Sequence, residues 1–174
     1  MMSPPKESAL RPWIALLSLL CLAACGFQLR GAYVLPFQTL YINLPATAEL
    51  NALLKRSIVA SSDVKVVDTQ QQAQATLMVL GDQQAKNILS LSAAGTVQEF
   101  QLVRTFSFRV VDKNGRDWLP QSQIVVRRDI TYSDAQVLSK ESEEVLLWRD
   151  MQSDLVQQIL RRLAAAKAPG TAQG

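Results

Sequence analysis

No histidine occurs anywhere in the 174 residues, which removes imidazole general-base chemistry, His-dependent triads and His-ligated metal sites together. Cysteine is nearly as scarce. Its two copies, Cys21 and Cys25, both fall at the end of an N-terminal leader, so the mature chain holds no second thiol for a disulfide. A Gly-rich phosphate loop is missing, as is any carboxylate motif with nucleophile spacing, and neither a catalytic residue, a metal site nor a cofactor is expected. Net charge is small: 18 Lys+Arg against 15 Asp+Glu give +3, and about +2 once Lys6, Arg11 and Glu7 leave with the leader. That balance argues against binding a polyanion through bulk charge, and no nucleic-acid partner is expected. What is present is core material. With 48% hydrophobic and 19% charged residues, the chain folds rather than staying a solvated polymer.

The leader has the order of a secretory signal. Lys6 and Arg11 form a basic start, Trp13–Leu22 an apolar stretch of about ten residues, and small residues precede Cys25. The stretch is too short for a permanent membrane span. Leu22-Ala23-Ala24-Cys25 resembles a bacterial lipobox, in which cleavage before the cysteine follows transfer of diacylglycerol to its thiol. The expected mature N-terminus is therefore Cys25 carrying S-diacylglycerol and an N-acyl chain, a covalent lipid in place of a cofactor, with each buried methylene adding about 0.8 kcal/mol of membrane affinity. The next residue is Gly26 and not Asp, so the expected address is the outer membrane, on its periplasmic face. Residues 1–24 are read as the signal peptide and 25–38 as an acylated tether with Gly26, Gly31 and Pro36. Residues 39–166 make one domain, and 167–174 a disordered tail.

Within the domain, Thr39–Leu44 reads as a strand closed by Pro45. A helix follows, with Thr47 as N-cap and Leu50, Leu53, Leu54 and Ile58 on one face, ending at Ser61-Ser62-Asp63. Val64–Val67 is a short second strand, and the strand, helix, strand order permits a parallel pair. Thr69–Gln74 is a polar loop. From Ala75 to Ser92 an apolar start turns polar after Gly81, which makes a bulge plausible there. Val97–Val111 alternates, with Phe100, Leu102, Phe106, Phe108 and Val110 on one face. Asp112-Lys113-Asn114-Gly115 signals a hairpin, and Ile124–Tyr132 is the return strand. Ser139–Ala166 is a long helix with acidic residues early and Arg161, Arg162 and Lys167 late. Its apolar stripe runs through Val145, Trp148, Met151, Leu155, Ile159 and Leu163, and Trp148 is expected opposite Phe106. Pattern alone thus gives an acylated α+β domain.

Several strings, in order, resemble a known family. Cys25-Gly26-Phe27-Gln28-Leu29-Arg30-Gly31 is similar to the mature opening of the LptE lipoproteins of Gram-negative bacteria. Glu99-Phe100-Gln101-Leu102, Arg128-Asp129-Ile130-Thr131-Tyr132, Gln136–Lys140 before Glu143-Glu144, and Gln158–Leu163 continue the likeness over residues 25–163. The resemblance implies a two-layer α+β sandwich, a mixed four- to five-stranded sheet with two helices on one face. It also implies a non-enzymatic role: a lipoprotein that sits as a plug in the LptD outer-membrane β-barrel in a 1:1 complex, binds lipopolysaccharide and helps deliver it to the outer leaflet. A place in another envelope machine, such as barrel assembly, without lipopolysaccharide, is the alternative.

Lipid A phosphates would be met by Arg or Lys through charge-assisted hydrogen bonds. The candidates are Lys86, Arg104, Arg127, Arg128 and Lys140. Strand parity puts Arg104 and Arg128 on the otherwise apolar face, where a buried guanidinium must find partners. Three accounts are open for each: ligand contact, a sheet-edge arginine snorkelling past the helices, or pairing with a helix carboxylate. Lys140 matches the basic position before the last helix in the family pattern, while a solvated loop lysine is its plainer reading.

Cys25→Ala is expected to abolish fatty-acid labelling and to release the protein from the outer-membrane fraction. Retention of both label and fractionation in the variant would contradict the lipobox.

Overall fold

The computed structural model describes residues 33–133 and 136–169. The signal segment, Cys25 and the tether up to residue 32 lie outside the described residues, as does the tail from 170. The elements are β1 (Thr39–Asn43), α1 (Glu49–Ser61), β2 (Lys65–Val67), β3 (Ala75–Leu91), β4 (Val97–Val111), β5 (Asp117–Thr131) and α2 (Val137–Ala164), with one 3-10 turn at Gln70–Gln72. The five strands form one sheet in the order β2-β1-β3-β4-β5. β1 runs parallel to both β2 and β3, whereas β3, β4 and β5 form an antiparallel meander. This is the mixed α+β sheet expected.

Apolar spacing accounts for both helices. Leu50, Leu54 and Ile58 of α1 are buried, one or two turns apart on a single stripe. Thr47 is not the N-cap, however. Ala48 occupies that place without a side-chain bond, because a tight turn in which the Ala48 N–H donates to the Pro45 carbonyl (2.9 Å) delays the helix by one residue. The Asn51 amide then donates to the Leu44 and Pro45 carbonyls, 3.1 Å each, tying the helix start to the end of β1. α2 buries Met151, Leu155, Val156, Ile159, Leu160 and Leu163 and ends with Arg161 and Arg162 near its negative pole. The expected stripe was too long at its start. Val145 is 51% exposed and Leu146 62%, and Trp148 is only half-buried. A 3.6-residue period identifies a face but not how far the partner layer extends beneath it.

One core joins both helices to a single sheet face: Leu40, Leu77, Leu102, Phe106, Phe108, Ile124, Leu54, Ile58, Met151, Leu155 and Ile159 are all less than 2% exposed. At the β1 end, the chain entering the sheet is packed rather than free. The Tyr33 N–H donates to the Ser61 carbonyl, and Phe37, 3% exposed, meets Trp118 edge-on at 5.7 Å. Within the part of the tether reading that covers 33–38, Tyr33, Leu35 and Phe37 pack on the core while Val34 is 85% exposed. Lys167, read as tail, donates its N–H to the Trp118 carbonyl.

The β4–β5 hairpin closes at Gly115, whose φ of +77° suits a residue without Cβ, and Asp112 caps the turn by accepting from the Asn114 and Arg116 N–H groups. β5 starts seven residues earlier than expected. Pro120 sits within it at a register irregularity between Phe108 and Val110 of β4, a position open to proline because β5 is an edge strand.

A bulge in β3 decides what the helix-covered face displays. Up to Val79, odd residues face the core: Leu77 opposes Val110 and Val79 opposes Phe108. The register then shifts between Val79 and Gly81, after which Asp82 opposes Phe106, Gln84 opposes Arg104, Lys86 opposes Leu102 and Ile88 opposes Phe100. One inserted residue thus exchanges the two faces of the strand. Even-numbered residues from Asp82 to Ile88 share the face covered by α2, until a second register shift between Ile88 and Ser90.

Phe106→Ala should cost roughly 3 to 5 kcal/mol, as expected for a buried aromatic, while Trp148→Ala should cost clearly less because its ring lies at the margin. Urea unfolding followed by circular dichroism checks both; equal losses would misplace the core.

Candidate functional site

Beyond the bulge, the sheet and the first turns of α2 enclose a cavity of about 170 Å³ lined by Lys86, Phe100, Ile130, Tyr132, Val137, Lys140, Glu141 and Glu144. Each wall follows from local structure. Lys86 is turned inward by the bulge. Phe100 and Ile130 come from the core-facing parity of β4 and β5, and Tyr132 extends that parity by one step, meeting Phe100 edge-on at 5.4 Å. Lys140 enters from the first turn of α2, where a cation is unfavourable for the helix dipole and is held by other bonds: Nζ donates to Thr131 Oγ1 at 3.0 Å and to Glu143 Oε2 at 2.8 Å. Lys86 Nζ lies 4.3 Å from the Phe100 ring centroid, a cation–π distance, and donates to Glu144 Oε2 at 2.6 Å. The cavity combines two ammonium groups with an aromatic and aliphatic wall.

Of the five candidate cations, the structure brings Lys86 and Lys140 together here. Arg104 is elsewhere and 3% exposed. Its Nε and Nη2 donate to the two oxygens of Asp82 at 2.9 and 2.7 Å, and Nη1 donates to Gln152 of α2 at 3.1 Å. That bidentate geometry satisfies a buried guanidinium. Arg128 donates to Asp150 at 2.9 Å and to Asp154 at 3.4 Å on α2. The Asp150 hydrogen bond, ahead of the charges of both carboxylates, holds the Arg128 guanidinium above its ordinary pKa. Both arginines therefore clamp the long helix to the sheet. Arg127, opposite Val103, is exposed and alternates to the face away from the helices.

Sequence reading named the two lysines but not their walls or their carboxylate partners; for Arg128 it offered a helix carboxylate among its accounts, and Asp150 and Asp154 stand there. Parity already placed Phe100 and Tyr132 on one face, so the aromatic wall was recoverable. Asp82 was not, because its face depends on where the bulge falls. Exposed apolar side chains also occur at this end of β3 and at the start of α2: Ile88 (58%), Leu91 (55%) and Leu138 (81%). The opposite sheet face is polar and amide-rich, with Gln101 bonded to Asp129 and Gln123 to Ser107 across strands. Among the described residues, no cluster of three or more His, Cys, Asp or Glu could hold a metal, and no helix is long and apolar enough to cross a membrane.

The model of the LptE family, described as lipopolysaccharide-assembly, matches residues 37–163. The LPS-assembly lipoprotein LptE of Pectobacterium atrosepticum is 30% identical over 150 residues, covering 84% of this chain and 80% of its own. Among solved structures, the solution structure of a lipoprotein B from Nitrosomonas europaea superposes with a TM-score of 0.70 at 38% identity, covering 80% of this chain and 91% of that one. The crystal structure of the rare lipoprotein B from Shewanella oneidensis gives 0.63 at 26% identity over 73% and 94%.

Asp82→Ala would leave the buried Arg104 charge uncompensated, and the loss should fall toward the lower end of roughly 3 to 5 kcal/mol, since the Asp82 side chain is 28% exposed. The double variant Asp82→Leu/Arg104→Met should recover most of it in chemical denaturation. No recovery would mean that Gln152 or the bulge, and not the ion pair, carries the effect.

Proposed function

Because this chain belongs to the LptE family of lipopolysaccharide-assembly lipoproteins, we propose that it is held at the periplasmic face of the outer membrane by lipid on Cys25, plugs an LptD-like β-barrel as a 1:1 partner, and binds lipopolysaccharide without turning it over. The observation that carries the binding reading is the cavity in which Lys86 and Lys140 stand beside Phe100, Ile130 and Tyr132. A lipid phosphate needs charge-assisted donors, and the glycolipid around it needs an apolar and aromatic surface. Both are at one end of the sheet, where Ile88, Leu91 and, at the start of α2, Leu138 are exposed.

In this reading Lys86 and Lys140 contact the phosphate, while Arg104 and Arg128 hold the frame. The plug reading draws support from the uncovered sheet face. Barrel interiors are polar, and Gln101, Thr105, Ser107 and Gln123 offer hydrogen-bonding groups of low charge to such a wall. An assignment to a barrel-assembly machine has no comparable support, given the family.

Replacing both Lys86 and Lys140 with Asp should weaken lipopolysaccharide binding by about tenfold or more, because repulsion is added to lost attraction. Arg127→Asp should change it little. Co-purification with the barrel should survive in all variants, since a plug spreads its contacts over a wide surface. Unchanged lipopolysaccharide affinity in the folded double variant would move the ligand away from this cavity.

A further inference from the structure

One turn along α2 from Glu144, a second hollow of about 380 Å³ opens, lined by Glu49 of α1, Gln84 of β3 and Val145, Trp148, Arg149 and Gln152 of α2. Trp148 links it to the lysine cavity. The residue lines this groove while its Nε1 donates to Oε1 of Glu144, in the cavity wall, at 3.3 Å. Gln152 accepts from Arg104 Nη1 through its oxygen at 3.1 Å and keeps its amide nitrogen free. Among the described residues, the side chains of Glu49, Gln84 and Arg149 have no partner. Asp82, Arg104 and Arg128 on the same sheet face are all paired.

This lining discriminates between classes of occupant. An acyl chain would strip water from four polar side chains and leave their donors and acceptors unmet, which is unfavourable for each. An anion would find Arg149 but be opposed by Glu49, and the two together leave the groove without net charge. A sugar ring meets both conditions. Its hydroxyls donate and accept, matching the amides of Gln84 and Gln152, the guanidinium of Arg149 and the carboxylate of Glu49. Its C–H groups carry slight positive charge, which the negative face of an indole attracts. We propose that this groove is a saccharide subsite for one uncharged pyranose ring. Resting on the reading that the chain binds lipopolysaccharide, that ring is the sugar bearing the phosphate met by Lys86 and Lys140. Gln84 and Lys86 stand two residues apart on one face of β3, about 7 Å. Trp148 and Glu144 stand four apart on α2, about 6 Å. Sheet and helix thus set the two subsites at one common spacing, short enough for a single sugar and its own phosphate.

The test uses the full acylated chain in a polyoxyethylene detergent, which carries no sugar, and saturation-transfer NMR titration with N,N′-diacetylchitobiose and N-acetylglucosamine 1-phosphate. Trp148→Ala should weaken chitobiose binding by about tenfold or more, ~1.4 kcal/mol. The exposed pair Gln84→Ala/Arg149→Ala should weaken it by at least about threefold, and serves if Trp148→Ala folds poorly. Wild type should bind the sugar phosphate more tightly than either N-acetylglucosamine or inorganic phosphate. No chitobiose binding to wild type, with Lys86→Asp/Lys140→Asp still weakening lipopolysaccharide, overturns the saccharide subsite and leaves the cavity reading intact. Chitobiose binding that is lost in Trp148→Ala, with lipopolysaccharide and sugar phosphate indifferent to both lysines, overturns the cavity reading and the link between subsites while the groove stands. An equal response to glycerol at matched hydroxyl concentration, or chitobiose binding unchanged in both groove variants, overturns the saccharide assignment.

Discussion

The register shift between Val79 and Gly81 is the constraint on which the rest of this molecule depends. Before it, β3 contributes Leu77 to the core in ordinary alternation; after it, the same face receives Asp82, Gln84, Lys86 and Ile88. Without the extra residue those four would point to the opposite side of the sheet. Arg104 would then lack its bidentate partner, and the cavity would lose one of its two ammonium groups. A single irregularity thus serves two ends: it neutralises a charge within the packed layer and supplies a charge to the open one.

The shared face is graded along its length. Near β1 it is wholly apolar and closed by both helices. In the middle it is polar but saturated, with Arg104 and Arg128 linked to Asp82, Gln152, Asp150 and Asp154. At the far end Lys86 pairs with Glu144 and Lys140 with Glu143, and apolar side chains reach water. Electrostatic contacts gain strength as water is excluded, so Arg104, its side chain only 4% exposed, is a firm link between the sheet and Gln152 of α2. The position of α2 over the sheet makes that gradient possible, since its first two turns overrun the core.

Patterns of period two and 3.6 carried most of the architecture. Phe106, Phe108 and Val110 alternate as the sequence shows, and Leu50, Leu54 and Ile58 form the buried edge of α1. The bulge at Gly81 was anticipated, but other departures from period escaped, as did what the bulge does to the facing of the residues after it. Thr47 looked like a cap, but the Pro45 turn displaced the helix start. Pro120 and the irregularity around it hid nearly the first half of β5. Parity exposed Arg104 as an anomaly, yet its partner could be named only once the bulge was located, because Asp82 lies on one face or the other according to a shift that composition does not encode. For the cavity, the lysines were legible as lone charges; their company was a matter of tertiary placement.

The length of the β4–β5 hairpin bears on distance across a membrane. The N-terminal entry at Tyr33 and the buried Phe37 lie at the end where β4 finishes, since Leu40 pairs with Ala75 and Thr76 with Val111. Phe100, in the cavity wall, stands eleven residues back along the same strand, about 36 Å at the rise of an extended chain. The hydrocarbon layer of a bilayer is about 30 Å thick. The sheet therefore separates the point where the chain enters the fold from the lysines by more than the thickness of that layer.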